Sequence, residues 1–240
     1  MDSSLRLSGF YQCEMFGRSY WQDVDFHTRR LDTDVTAFLE STLGVSYTVM
    51  TSGFVSTPPR NPDFLFPIHQ DIQYSIFDPE DHLSMIQSWT LITPDQDVGG
   101  LNLYPCRDNG SECYSQEFAG AFVELDVERS RVLMDQVRTL KFVNVGSRQY
   151  ETIWFDSKCL HETADLHLVR RTGPRVAWTV RCLKHGAKVR QRILDKIASE
   201  KPSRDDMASF LVTSFPECFP RTYGKSFARF VADYIAKQHL

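Results

Sequence analysis

The sequence lacks several features that would define its class at once. No stretch approaches the roughly 18 consecutive apolar residues that a membrane-spanning helix needs, and the start, MDSSLRLSGFYQCEMFG, does not have the basic and then apolar character of a secretory leader. Neither charge dominates, because 27 Lys and Arg stand against 31 Asp and Glu, so no overall basic field attracts nucleic acid. We therefore expect a cytoplasmic protein that binds neither membranes nor nucleic acid.

Paired cysteine motifs are also missing. The six cysteines include no C-x-x-C pair, and a chain of 240 residues can bury a core without disulfides. We therefore expect free thiols in a reducing compartment. Cys106 and Cys113 are too far apart for a zinc-binding pair and no second pair follows them, so no zinc site is predicted.

The pattern that is present changes along the chain. Apolar residues make up 42% of the sequence, which is typical of a folded protein and here of a single domain over 1–240. Helical spacing runs to Gly44, with Asp32 or Thr33 as the expected N-cap. Short β-rich runs then cover about 67–183, and helical spacing returns over about 186–240. These runs predict a mainly β sandwich or barrel with flanking N- and C-terminal helices.

Three residues suggest a metal site. His69 and Asp71 stand at the head of a predicted strand, where side chains at i and i+2 leave the same face. His161 begins another strand-like run far down the chain. Two histidines and a carboxylate on one face of an octahedral ion leave positions open for a co-substrate and O2, as in non-haem Fe(II) oxygenases. His167, six residues further along the chain, is the alternative ligand if the register of this strand differs from the predicted one.

Arg175, at the start of the next β-rich run, suggests an anion site. A guanidinium group holds a carboxylate with two parallel hydrogen bonds, and a 2-oxoacid with a distal carboxylate would need such a partner. Thr163 lies two residues after His161, and therefore on its face, where a hydroxyl could donate to the same carboxylate.

The ordered motifs H-x-D, a strand with Trp89 followed by GGLNLYP, FDSKCLHET and GPRVAWTVR resemble one known family over about 67–182. It is the phytanoyl-CoA dioxygenase-like branch of the Fe(II)- and 2-oxoglutarate-dependent oxygenases. The resemblance implies a double-stranded β-helix of the jelly-roll or cupin type. It also implies use of Fe(II), 2-oxoglutarate and O2, release of succinate and CO2, and oxidation of a small molecule, with specialised metabolism as the expected context.

The resemblance assigns roles to individual residues. His69, Asp71 and His161 would bind the iron. Arg175 and Thr163 would hold the distal carboxylate of 2-oxoglutarate, and Trp89 would line that pocket. A carboxylate at the second position favours hydroxylation over halogenation, because halogenation needs that coordination position for the halide.

The substrate itself cannot be carried over from the family. The stretch from Arg170 to Arg192 contains basic and no acidic residues, which is typical of a solvated face or of a rim that attracts an anionic substrate. Arg181, on the face of Arg175, and Tyr74, in the strand that begins with the H-x-D motif, are the candidate substrate contacts.

Two other functions fit the same residues. One is a cupin-like domain without oxygenase activity, in which the histidines bind another metal or none and the basic stretch binds an anionic partner. The other is an Fe(II) enzyme that does not use 2-oxoglutarate. Arg175 distinguishes the first, since only the oxygenase needs it for the co-substrate, and turnover without an oxoacid would identify the second. The remaining histidines, His27, His82, His185 and His239, have no assigned role.

Overall fold

The computed structural model describes residues 10–25, 29–57, 76–78, 81, 83–93, 100–104, 143–145, 148–157, 159–164, 174–216, 218–219 and 224–239. The strands are β1 (Phe10–Cys13), β2 (Tyr47–Thr57), β3 (Met85–Leu91), β4 (Leu101–Tyr104), β5 (Val143–Val145), β6 (Thr152–Asp156), β7 (Leu160–Thr163) and β8 (Arg175–Lys184). The helices are α1 (Arg18–Asp23), α2 (Arg29–Leu43), α3 (Gln191–Glu200), α4 (Met207–Ser214) and α5 (Gly224–His239). None of the helices in these ranges is long and apolar enough to cross a membrane.

The strands form two antiparallel sheets. One has five strands in the order β1-β6-β3-β8-β2, and the other has three in the order β5-β4-β7. Strands that are distant in sequence are thus neighbours in space, since β3 pairs with both β6 and β8. The mainly β fold with flanking helices is confirmed.

The five-stranded sheet is buried on both faces, because successive side chains of a strand point to opposite sides. Trp178 and Val180 of β8 pack with Leu31, Val35 and Leu39 of α2 on the outer face. On the inner face, toward the second sheet, a cluster joins residues of both sheets. Its members are Trp89, Leu91, Leu101, Leu103, Ile153, Phe155, Cys159 and Ala177.

The C-terminal helices form a third layer at one end of the sheet. Met85 and Leu183, the inner-face residues at the end of β3 and β8, belong to the same buried cluster as Ile193 of α3, Leu211 of α4 and Val231 of α5. Gly186, with φ of 74°, makes the turn between β8 and these helices in a conformation that favours glycine. The helices therefore close one end of the space between the sheets.

Two details at the N-terminal side differ from expectation. The helix α2 begins at Arg29, so Asp32 lies in its first turn and the predicted N-cap at Asp32 or Thr33 is wrong. Its end is as predicted: Gly44 has φ of 68°, and its N–H donates to the Glu40 carbonyl. The edge strand β1, which pairs with β6, was not predicted. A run of four residues is too short to show a clear alternation of apolar and polar positions.

Candidate active site

His161 lies on the inner face of the three-stranded sheet. It pairs with Leu103 across β4, and two residues later Thr163 pairs with Leu101. Both leucines belong to the cluster between the sheets, so the histidine and the threonine face the interior. Each of the two is only 6% exposed. The predicted common face of His161 and Thr163 is therefore present.

The hydrogen bonding of His161 sets its tautomer. Its Nδ1 lies 2.9 Å from the Cys159 carbonyl oxygen, and since a carbonyl can only accept, Nδ1 carries the proton. In the neutral ring the lone pair is then on Nε2, the state that a metal ligand requires. The ring also contacts Phe155 edge-on, at 4.8 Å between centroids. The side chain is thus oriented by both a backbone acceptor and an apolar wall.

Arg175 is brought to the end of the smaller sheet. Its side chain is almost completely buried, at 2% exposure, and Nη1 donates to the Gly100 carbonyl at 2.8 Å. The same carbonyl accepts from the N–H of Ala164, the residue after Thr163. The guanidinium carbon lies 5.4 Å from the centre of the Trp89 ring, in a cation–π contact. Arg175, Trp89 and the end of β7 therefore meet at one place between the sheets.

The cross-strand register arranges the inner face of the large sheet in transverse rows. One row contains Ile153, Trp89 and Thr179. The next row, toward the C-terminal helices, contains Phe155, Gln87 and Arg181. Since Phe155 contacts His161, the second row is level with the candidate metal ligand. Arg175 lies at the other end of β8, away from the C-terminal helices.

Several predicted site residues lie outside the described residues. These are His69, Asp71, Tyr74 and the alternative ligand His167, together with Cys106 and Cys113. Within the described ranges no group of three His, Cys, Asp or Glu side chains forms a metal site, and only His161 of the expected ligand set falls in those ranges. The chain is described again at residues 76–78: the N–H of Asp78 donates to the Lys188 carbonyl, and that of Arg190 donates to the Ile76 carbonyl.

Sequence reasoning missed two polar groups near the site. Gln87 is buried on the inner face. The one sequence feature that could have predicted this is its position two residues before Trp89 in a run of strand character. Glu162 has its side chain on the opposite face from His161, where Oε1 accepts from Asn102 Nδ2 at 3.0 Å and from the Tyr104 hydroxyl at 2.8 Å. Glu162 thus stabilises the pairing of β4 with β7 on the face of the small sheet that points away from the interior.

Neither a protein-family model nor a curated protein sequence matches the chain. Solved structures do. The epimerase SnoN in complex with Fe3+, alpha ketoglutarate and nogalamycin RO is similar with a TM-score of 0.55 and 13% identity, over 79% of this chain and 84% of that chain. EctD from S. alaskensis with bound Fe has a TM-score of 0.52 and 13% identity, over 79% and 77%. AviO1 from Streptomyces viridochromogenes Tue57 has a TM-score of 0.50 and 10% identity, over 77% and 94%.

The shared feature is the jelly-roll fold. SnoN is a non-heme alpha ketoglutarate dependent epimerase from nogalamycin biosynthesis, so this fold carries iron and 2-oxoglutarate in at least one of the similar structures. The double-stranded β-helix that the sequence motifs implied is thus confirmed as the architecture of this chain.

Proposed function

We propose that the chain is a non-haem Fe(II)- and 2-oxoglutarate-dependent oxygenase of the phytanoyl-CoA dioxygenase-like type, which hydroxylates or otherwise oxidises a C–H bond of a small molecule. The observation that carries this proposal is the buried Arg175 against Trp89, on the same interior space as His161. A buried guanidinium beside an oriented imidazole suits a co-substrate with one end on a metal and a carboxylate at the other end.

His69, Asp71 and His161 would hold the iron. The tautomer that this hydrogen bond requires of His161 fits the role, because the Cys159 carbonyl holds the proton on Nδ1 and leaves Nε2 as the coordinating nitrogen. Iron with bound 2-oxoglutarate would supply the activation of O2, releasing succinate and CO2. The carboxylate at position 71 supports hydroxylation over halogenation.

Arg175, Thr163 and Trp89 would hold the co-substrate. His161 and Thr163 are two residues apart on β7, which corresponds to about 7 Å along a strand. This separation suits a five-carbon dicarboxylate that reaches from the metal to the guanidinium. Arg175 would bind the distal carboxylate, Thr163 would donate a further hydrogen bond, and the Trp89 ring would hold the guanidinium in place.

Arg181 and Tyr74 are proposed substrate contacts. A substrate from specialised metabolism is supported by the similarity of the fold to SnoN from nogalamycin biosynthesis. A reducing, cytoplasmic location is supported by the free thiols of Cys13, Cys159 and Cys182.

The test is release of succinate from 2-oxoglutarate, measured with and without Fe(II) and O2. We expect the wild type to form succinate only when both are present, His161→Ala to form none, and His185→Ala to behave as the wild type. His185 is a matched control because it is exposed and bonds Thr48 at the surface. Succinate formation by His161→Ala at the wild-type rate would contradict the proposed site, and oxidation without any oxoacid would favour the oxoacid-independent enzyme.

A further inference from the structure

Gln87 is a buried amide that the described fold does not satisfy. The residue is 4% exposed, and its side-chain nitrogen Nε2 is buried with no hydrogen-bond partner among the described residues. Leaving such a donor unpaired in the interior is costly, so unsatisfied buried groups in native proteins call for an explanation. A ligand that accepts a hydrogen bond at this position would provide one.

The amide points into the space between the sheets. Trp89 and Leu91, at i+2 and i+4 on β3, belong to the cluster between the sheets, whereas Ile86 packs under α2 on the other face. Alternation along the strand therefore places Gln87 with Trp89 on the inner face. Gln87 lies level with Phe155, the aromatic wall of His161.

Arg181 lies directly opposite Gln87. The two residues are cross-strand partners of β3 and β8 with side chains on the same face, so their Cβ atoms are about 5 Å apart. Amide and guanidinium groups both donate hydrogen bonds, and a guanidinium adds a fixed positive charge. An amide and a guanidinium side by side on one face of the sheet are together complementary to an oxyanion.

This pair is separate from the expected co-substrate carboxylate. The backbones of Arg175 and Arg181 are six residues apart on β8, which corresponds to about 20 Å along the strand, and the Arg175 guanidinium reaches back only as far as the Trp89 ring, in the row next to Gln87. A five-carbon dicarboxylate that is held by Arg175 at one end and by a metal at His161 at the other would already have a partner at each end. An oxyanion bound at Gln87 and Arg181 would therefore belong to a second molecule.

Apolar residues flank the pair toward the C-terminal helices and beside Gln87. Met85 and Leu183 are the next inner-face residues and belong to the core of the C-terminal helices, and Phe155 lies on the other side of Gln87. A ligand there would have a charged group beside the amide and an apolar body against these side chains.

We propose that Gln87 and Arg181 form the subsite for an oxyanion of the substrate, which is therefore an organic acid with an apolar body. This inference rests on the proposed function, because it takes His161 as the marker of the reacting centre. The oxyanion is a carboxylate or a phosphate monoester, and Gln87 together with Arg181 positions it so that the apolar body extends past Phe155 toward His161.

The test uses calorimetry on the Ni(II)-loaded full-length protein with saturating 2-oxoglutarate. The probes are phenylacetate, its methyl ester and phenyl phosphate. We expect one of the two anions to bind at least tenfold more tightly than the ester, and whichever binds more tightly identifies the oxyanion. Gln87→Leu should weaken that binding about tenfold and Arg181→Met should abolish it, while the Kd for 2-oxoglutarate remains within twofold of the wild-type value.

Three results would overturn the subsite. They are equal binding of anion and ester, anion binding that the two variants do not change, and a loss of 2-oxoglutarate affinity in the variants, which would assign the pair to the co-substrate. Failure of the wild type to bind 2-oxoglutarate would instead refute the proposed function. A second measurement is independent of the probe: Gln87→Leu removes an unpaired donor, so the Tm of the ligand-free protein should rise or stay constant, and a clear fall would make Gln87 a structural residue.

Discussion

Replacing Arg175 should destroy binding of 2-oxoglutarate and leave binding of the metal intact. The guanidinium is held between the Gly100 carbonyl and the Trp89 ring, so its position does not depend on the co-substrate. A hydrogen bond to a charged group contributes about 1.5–3 kcal/mol. Loss of a two-bond fork should thus cost about 3 kcal/mol or more, and because 1.4 kcal/mol is tenfold in affinity, Arg175→Ala should raise the Kd about a hundredfold.

A second substitution separates charge from geometry. Arg175→Lys keeps the positive charge but cannot present two parallel donors, so we expect an intermediate loss of about tenfold. Both variants lose the contact with Trp89 to different extents, and cation–π contacts contribute about 0.5–2 kcal/mol. Thermal unfolding must therefore accompany the binding assay.

The assay is calorimetric titration of the Ni(II)-loaded protein with 2-oxoglutarate, with metal content measured in parallel. Arg229→Ala, an exposed arginine on α5, is the matched control and should bind as the wild type does. If folded Arg175→Ala binds metal and 2-oxoglutarate with wild-type affinity, the assignment of Arg175 is refuted.

Three further predictions concern other parts of the chain. Thr163→Val should raise the Kd for 2-oxoglutarate by about tenfold, as expected for one lost hydrogen bond to a charged group, and an unchanged Kd in calorimetry would remove Thr163 from the site. Leu39→Ala, in the fully buried face of α2, should lower the free energy of unfolding by about 2–5 kcal/mol, and a loss below 1 kcal/mol in urea titration would show that α2 packs loosely. Burial raises the pKa of the Cys13 thiol to about 11, so its alkylation by iodoacetamide, followed by mass spectrometry, should stay slow at pH 8 and accelerate as the pH approaches 11; a plateau already at pH 9 would contradict this.

The sequence predicted the parts of the fold in which apolar residues recur at a regular spacing. The run from Met85 to Leu91 and the run from Arg175 are strands as expected, because their β-branched and aromatic residues suit a sheet that is buried on both faces. The common face of His161 and Thr163 followed from alternation alone.

The pairing of strands could not be predicted in this way. Nothing local in the sequence indicates that Gln87 lies between Phe155 and Arg181, since the three residues come from strands far apart in the chain. Nor could the sequence show that the Gly100 carbonyl accepts from both Ala164 and Arg175, because backbone hydrogen bonds between distant segments depend on the register of the sheets. The start of α2 was also missed, because polar residues at Asp32 and Thr33 suit a first helical turn as well as an N-cap.

The central claim, that this interior space binds iron and 2-oxoglutarate together, is tested most directly by an anaerobic titration of the protein with Fe(II) and then with 2-oxoglutarate. We predict a weak visible charge-transfer band when the oxoacid is added to the iron-loaded wild type. The band should be absent in His69→Ala and in His161→Ala, and present in His185→Ala. Iron binding without the band in the wild type, or a band of full strength in His161→Ala, would contradict the account.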